Sequence, residues 1–513
     1  MCEKGIVAMR KIDKKTFCKW LLVIAADLAL VLLTCSLMLN VHFSPDSYDI
    51  WTTTDNNVDV HLRDGRFITA ALYKVLAILG VNVAKTQSVF TLGFMLTVAF
   101  LAMGLSYFAM QRMGRDETST LVAVNAGFLL IFHNAFIAEW YLFPEVMLMY
   151  AISVSSAVLA VLAYLHAERI DKKGRKAWSV FVAFLALTIA LGTYQVTIGI
   201  YVALLLIFAF IDMALSVRER VILAGKGLIL GAGGCIVNVA IVKLLTLLHI
   251  MEPTYRGANL NVGAVMENIR KIIEKQPEVW SGHGLFPRYV LPIYFVLAVV
   301  LLLFFKQRHH LSGSMTALAL FFAASTYIGS YIPHFVTSDF WLSQRTLVPM
   351  FGAFSLLMIA IISLDSSPKV RYVTEVVIVT FLLGNSVLME SIFSNHLAMD
   401  DLDRAYAKAI HASIEKHATQ TGIDIDHLAI ERDAYPTWSY DGIDYVTYEM
   451  NVRNILRSWS NIGLINTANG TDYQPAEMDE GIWAQYFDGK NWNCFSPDEQ
   501  IVYSGNTAYI VIY

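Results

Sequence analysis

VHFSPDSYDIWTTTDNNVDVHLRDGRF, residues 41–67, lies between two strongly apolar segments and carries Asp46, Asp49, Asp55, Asp59, Asp64, Arg63, Arg66, His42 and His61. A charged side chain inside hydrocarbon costs about 3 kcal/mol or more, so a loop of this kind between greasy segments belongs at a membrane surface. There its carboxylates can take a proton or hold a cation, and its arginines can hold phosphate.

The rest of the chain agrees with that placement. Of 513 residues only 16% are charged and 56% are hydrophobic, where a soluble domain carries roughly 25% charged residues. Mean hydropathy is +0.53, which makes this a multi-spanning membrane chain. A net charge of −4 gives no reason to expect nucleic acid as a partner. The cysteines (Cys2, Cys18, Cys35, Cys235, Cys494) show no CxxC or Cys/His spacing, so neither a disulfide framework nor a zinc site is supported. A basic start (Arg10, Lys11, Lys14, Lys15, Lys19) precedes an apolar run from Trp20 to Leu39 with no A-x-A-like cleavage site after it. The run reads as a retained first helix, with residues 1–19 cytoplasmic.

Apolar runs near the spanning length of roughly 20 residues fall at about 20–40, 87–111, 118–134, 142–165, 177–192, 194–214, 221–249, 289–305, 314–333, 346–364 and 372–393. They predict about eleven transmembrane helices, with a tight break at Gly192-Thr193-Tyr194. A weaker segment, 66–85, has apolar residues at helical spacing and reads as a helix lying in the outer interface. Lys and Arg sort by side. Arg112/Arg115, Arg169–Lys176, Arg218–Lys226, Lys306/Arg308 and Lys369/Arg371 fall on alternate connections, whereas 134–141, 192–194 and 334–344 carry none. The positive-inside rule then puts the N-terminus in and, for an odd helix count, the C-terminus out. After Phe393 the composition turns polar, with turn signals and the closing strand-like TAYIVIY, so 394–513 reads as a small α+β extracytoplasmic domain after a 20–393 membrane region.

This topology puts the polar equipment outside: the 41–68 loop, the HNAFIAEWYLFPE corner with Glu139 and Glu145, Tyr194-Gln195, the 250–288 loop, and HFVTSDFWLSQR ending at Arg345. No P-loop or other Gly-rich nucleotide turn is present. An outward-facing enzyme without nucleotide machinery suits a lipid-linked substrate. FSPDSYD after the first helix, the following RDGR, LGTYQ at a helix boundary and the late outer QR resemble the GtrII-type bacterial glucosyltransferases, integral-membrane enzymes of the GT-C class, over roughly residues 20–393. The resemblance implies a GT-C-like polytopic α-helical fold. It also implies transfer of a sugar, glucose, from undecaprenyl phosphate to a cell-surface polysaccharide or related glycan on the extracytoplasmic face of the plasma membrane. It further implies a base in the first outer loop, at Asp46 or Asp49.

Chemistry then distributes the remaining roles. An acceptor hydroxyl needs a carboxylate base as it attacks, and the departing lipid phosphate needs planar guanidinium donors. Arg63, Arg66 and Arg345 are the candidates, with Arg256 and Arg288 behind them, while Glu139, Glu145, Tyr194 and Gln195 are candidates to line the sugar pocket. Phosphate already leaves readily, so no metal is required, although Asp46 and Asp49 together have the chemistry to hold a divalent cation. Each residue also has a plain structural reading: Arg66 as an interfacial anchor, Arg345 as a snorkelling helix-end arginine, Glu139 and Glu145 as caps, Tyr194-Gln195 as helix-packing polar contacts. The alternative functions are a transporter or flippase of lipid-linked glycans, or a polymerase of them. No paired halves or internal repeat favour a transporter.

Overall fold

The computed structural model describes residues 14–513 apart from 54, 254–256, 288, 366, 444, 445, 447 and 448. Arg256 and Arg288 therefore lie outside the described residues.

Every one of the expected apolar segments lies in a helix, but the helices are not equivalent. Seven are long and apolar enough to cross a membrane: Cys18–Leu39, Gln87–Met113, Pro144–Ala167, Lys173–Thr193, Val217–Leu247, Val290–His309 and Pro368–Thr421. The others are shorter: Thr118–Phe132, Thr197–Ile211, Gly313–Gly329 and Val348–Leu364. Eleven equal crossings are thus not what the helix lengths give. A 15-residue helix such as Thr197–Ile211 rises only about 22 Å, short of a hydrocarbon core of about 30 Å. The reason is position in the bundle. All of Thr197–Ile211, and nearly all of Thr118–Phe132 and Phe351–Leu364, is buried in protein, as expected for helices apolar on every side.

Beyond their ends the backbone turns irregular yet stays buried, which protein-lined surroundings permit because the polar groups find partners there. Asn385 Oδ1 accepts from the Ala135 N–H at 2.9 Å, and Asn134 Oδ1 accepts from the Phe136 N–H at 3.0 Å. Small residues let neighbouring helices close up. A Cβ on Gly352 would fall 2.6 Å from the Ala203 Cβ. The 66–85 segment is helical over Phe67–Ile78, and the break after Thr193 is also found.

Ion pairs gather the basic connections at one end. Arg112 and Arg169 share Asp212 at 2.6 and 2.8 Å, Lys226 meets Glu168 at 2.9 Å, and Arg371 meets Glu117 at 3.1 Å. Arg115 donates to the carbonyls of Ser363 and Asp365, each at 3.1 Å.

At the other end, the last long helix does not stop at residue 394. It continues unbroken to Thr421, 54 residues in all, and its far end enters a second core. There β1 (His427–Arg432), β2 (Gln474–Pro475), β3 (Ile501–Ser504) and β4 (Thr507–Ile512) form a sheet in the order β2-β1-β4-β3. β1 pairs parallel with β2 and β4, and β3 with β4 is an antiparallel hairpin. Leu428, Ala508, Ile510 and Ile512 pack on Tyr406, Ile410 and Ile414 of the long helix. Phe43 and Tyr48 of the first loop belong to this same core. The Tyr48 hydroxyl donates to Asp400 at 2.8 Å, and the Asn454 side chain donates to the Phe43 carbonyl at 3.1 Å. The acidic loop is thus held between the helix bundle and the C-terminal sheet.

Candidate active site

The turn that carries Asp46 is built on a buried carboxylate. Ser44 and Ser47 donate to the two oxygens of Glu145 at 2.9 and 2.6 Å. The N–H groups of Asp46 and Ser47 donate back to Ser44 Oγ, each at 3.1 Å. Glu145 is fixed in turn, since the Tyr73 hydroxyl donates to its carbonyl at 2.6 Å. A buried carboxylate must find donors, and here it finds them in the sequence S-P-D-S itself. The consequence is a rigid, partly buried Asp46.

Asp46 faces a charged cluster. The Trp459 indole N–H donates to its Oδ1 at 3.2 Å. Burial pushes its carboxyl up to about 6, and the Glu449 carboxylate adds to that, while Arg345 and the Trp459 hydrogen bond oppose it. Arg345 is the hub. Its guanidinium pairs with Glu449 and lies 3.7 Å from Glu139 and 4.6 Å from the centre of the Phe143 ring. Its N–H donates to Glu139 Oε2 at 2.6 Å, and its carbonyl accepts from the Trp140 indole at 2.8 Å. Glu139 is fully buried, and that burial lifts its carboxyl to about 7 against the pull of Arg345.

Arg66 completes the cluster. It pairs with Asp64 at 3.1 Å and lies over the Tyr194 ring at 5.4 Å. Its Nε is buried without a hydrogen-bond partner. Tyr194 sits edge-on to Trp140 and Tyr150, which stack on each other at 4.2 Å. Gln195 holds the RDGR turn, donating to the carbonyls of Asp64 and Gly65 at 3.1 and 3.2 Å. Gly65 in that turn has φ +72°, a conformation that favours glycine. Gly192 lets the interfacial helix close in, since a Cβ there would lie 2.6 Å from the Phe67 ring.

Seven of the residues singled out from the sequence therefore converge or support the cluster: Asp46, Arg66, Glu139, Glu145, Tyr194, Gln195 and Arg345. Asp49 and Arg63 lie outside it. In the short Ser47–Thr52 helix, Ser47, Tyr48 and Ile50 take the inward face, so Asp49 is exposed, and the charge acting on it is that of Asp55. In Val58–Arg63 the inward side chain is His61, and Arg63 is exposed. Asp46 and Asp49 thus diverge, and among the described residues no group of three or more His, Cys, Asp or Glu side chains is placed to hold a metal ion.

A family model described as "Glucosyl transferase GtrII" matches residues 35–364, more than half of the chain. The chain belongs to the GtrII glucosyltransferase family. Comparison with curated proteins and with solved structures gives no match. Family membership and the apolar helices make this GtrII-family chain a membrane glycosyltransferase with sugar donor and acceptor as its substrates.

The matched region contains the whole converging set but stops before Glu449 and Trp459. Glu449 is what sequence reasoning missed, whereas Trp459 was legible only as one of the tail tryptophans (Trp438, Trp459, Trp483, Trp492), read as core or as rings that stack on sugar. Glu449 and Trp459 both belong to the C-terminal part, some four hundred residues from Asp46 in the case of Trp459, and no local spacing links them to the first loop. Tyr150 was hidden inside an apolar helix. Ser44 and Ser47 were legible as polar residues flanking Pro45-Asp46, but not as a carboxylate clamp.

Proposed function

We propose that this GtrII-family glucosyltransferase draws glucose from undecaprenyl phosphate at the extracytoplasmic face of the membrane and passes it to a cell-surface glycan. Asp46 is the general base. It accepts the proton of the acceptor hydroxyl as that oxygen bonds to the anomeric carbon. The bond from the anomeric carbon to the phosphate oxygen breaks, and its electron pair leaves on the lipid phosphate. Arg345 and Arg66 stabilise that growing charge, their planar forks matching phosphate better than an ammonium would. Because the leaving group is already a stable anion, the two guanidiniums supply the positive charge and no step is assigned to a metal.

The observation that carries this reading is the joint placement of Asp46, Arg345 and Arg66 at the end of the bundle opposite the ion-paired basic connections. A carboxylate held near pKa 6 is a better base near neutral pH than an ordinary aspartate. The unpartnered Arg66 Nε is a buried donor awaiting an acceptor. The extracytoplasmic assignment rests on the positive-inside rule.

Purified protein in nanodiscs, given undecaprenyl-phosphate-glucose and envelope glycan, tests the chemistry. Asp46→Asn should cut glucosyl transfer by about 10²-fold or more while Asp49→Asn retains it, and transfer near the wild-type rate in Asp46→Asn defeats the assignment. Mannosyl and arabinosyl phospholipids offered in parallel report the sugar. For the side, a cysteine placed at the exposed Tyr435 in intact cells should react with a membrane-impermeant maleimide, and labelling only after lysis would reverse the orientation.

A further inference from the structure

The established family accounts for residues up to 364, yet the surface leading away from Asp46 is built by the C-terminal part. From Asp46 the first element is Trp459, hydrogen-bonded to the carboxylate and still 54% exposed. The Arg457 guanidinium lies 5.6 Å from the centre of the Trp459 ring and 5.5 Å from that of Trp438. On Trp438 also lies Arg432, at 5.3 Å. Trp438 and Arg432 then form part of the wall of an open cleft of about 580 Å³, with Glu431, Asp433 and Tyr435. Tyr435 is 79% exposed.

This is a continuous run of alternating aromatic and guanidinium faces, from a cleft at the edge of the C-terminal sheet to the proposed base. Its chemistry is selective. Flat aromatic faces take the C–H face of pyranose rings, and guanidinium and carboxylate groups take hydroxyls, as seen where aromatic bodies carry polar rims. Tyr435 and Trp459 are exposed, while Trp438 between them is half-buried against the C-terminal core and keeps part of its ring in the cleft wall. A lipid tail is a poor occupant, because charged Glu431, Arg432 and Asp433 line the cleft.

We propose that the Glu431–Trp438 cleft and the Trp438–Arg457–Trp459 stack form the acceptor track, which binds a saccharide chain and feeds one of its hydroxyls to Asp46. The inference deepens the reading of Asp46 as the base and rests on it. It assigns the C-terminal part a role in acceptor recognition, and it makes chain length matter: a polysaccharide fills cleft and stack together, whereas a monosaccharide reaches only the end beside Asp46.

The test uses full-length protein in nanodiscs with two probes, a size-fractionated envelope polysaccharide of the source cell and methyl α-glucoside. Binding of the polysaccharide is followed by tryptophan fluorescence, and glucosyl transfer is followed separately. Trp438→Ala should weaken polysaccharide binding about fivefold, the worth of one aromatic contact, and raise the KM for polysaccharide by the same factor at unchanged kcat. Methyl α-glucoside should be used as before. Tyr435→Ala, at an exposed position where folding is not at risk, should act in the same direction. Asp46→Asn should bind polysaccharide normally and transfer at least about 10²-fold more slowly. Wild-type protein that does not bind the polysaccharide, or Trp438→Ala and Tyr435→Ala variants that bind it as tightly as wild type, would overturn the track. An Asp46→Asn variant with transfer near the wild-type rate would instead overturn the base, whatever the binding shows.

Discussion

Replacing Glu449 by glutamine should move the acidic limb of the pH–rate profile downward. In the structure Asp46 is pushed up to about 6 by burial first and by the Glu449 carboxylate second, with Arg345 pulling the other way. Glutamine keeps the size and a hydrogen-bonding oxygen but removes the negative charge. Ionised Asp46 then loses a like-charged neighbour, and Arg345 is left with one fewer carboxylate to satisfy. Both changes favour the carboxylate form. A charge at ion-pair range moves a carboxyl by about 1–3 pH units, and the Arg345 countercharge beside Glu449 reduces this, so a shift of about one pH unit is expected.

The assay is kcat/KM for glucosyl transfer against pH, which reports groups of the free enzyme. Wild type should fall away below about pH 6, and Glu449→Gln should hold its activity about one pH unit further down. Trp459→Phe supplies a control of opposite sign, because loss of the indole N–H removes a donor that favours the ionised form and so moves the limb up. Donor KM should also fall in Glu449→Gln, since phosphate then competes with one carboxylate fewer for Arg345. A limb that stays in place in both variants, or moves the same way in both, would refute Asp46 as the titrating base.

Asp46→Asn should lower kcat by about 10²–10⁴-fold, the usual contribution of a positioned base, at an unchanged melting temperature. Arg345→Ala should cost stability in a pH-dependent way. Glu139, lifted to about 7 from an ordinary 4.5, is proton-bound more tightly when folded, so folding weakens as pH rises from 4.5 through about 7. Without Arg345 the buried carboxylate loses its countercharge, and the melting-temperature gap to wild type should be small at pH 5 and widest above pH 7. Adding Glu139→Gln should close most of it. Ser47→Ala removes a 2.6 Å hydrogen bond to buried Glu145. It should destabilise by about 1–3 kcal/mol and lower kcat as the Asp46 turn loosens, measured by thermal melts and initial rates.

The sequence by itself determined the membrane class, the places of the helices and the sorting of basic and acidic connections. These follow from local composition: an apolar run long enough to span reads as a helix whatever its neighbours do. It also exposed Asp46, Arg66 and Arg345, because charge beside hydrocarbon is costly enough to stand out. Only the tertiary structure decided which helices are short and wholly enclosed, since enclosure depends on who surrounds them. Only it separated Asp46 from Asp49: three residues apart in sequence, they were sent to different sides by the burial of Tyr48 and Ile50. The pairing of Arg345 with Glu449, and of Asp46 with Trp459, belongs wholly to the fold. Contacts between segments hundreds of residues apart leave no period or spacing in the chain, and they arise because Phe43 and Tyr48 find their apolar partners in the C-terminal core and draw the acidic loop beneath it.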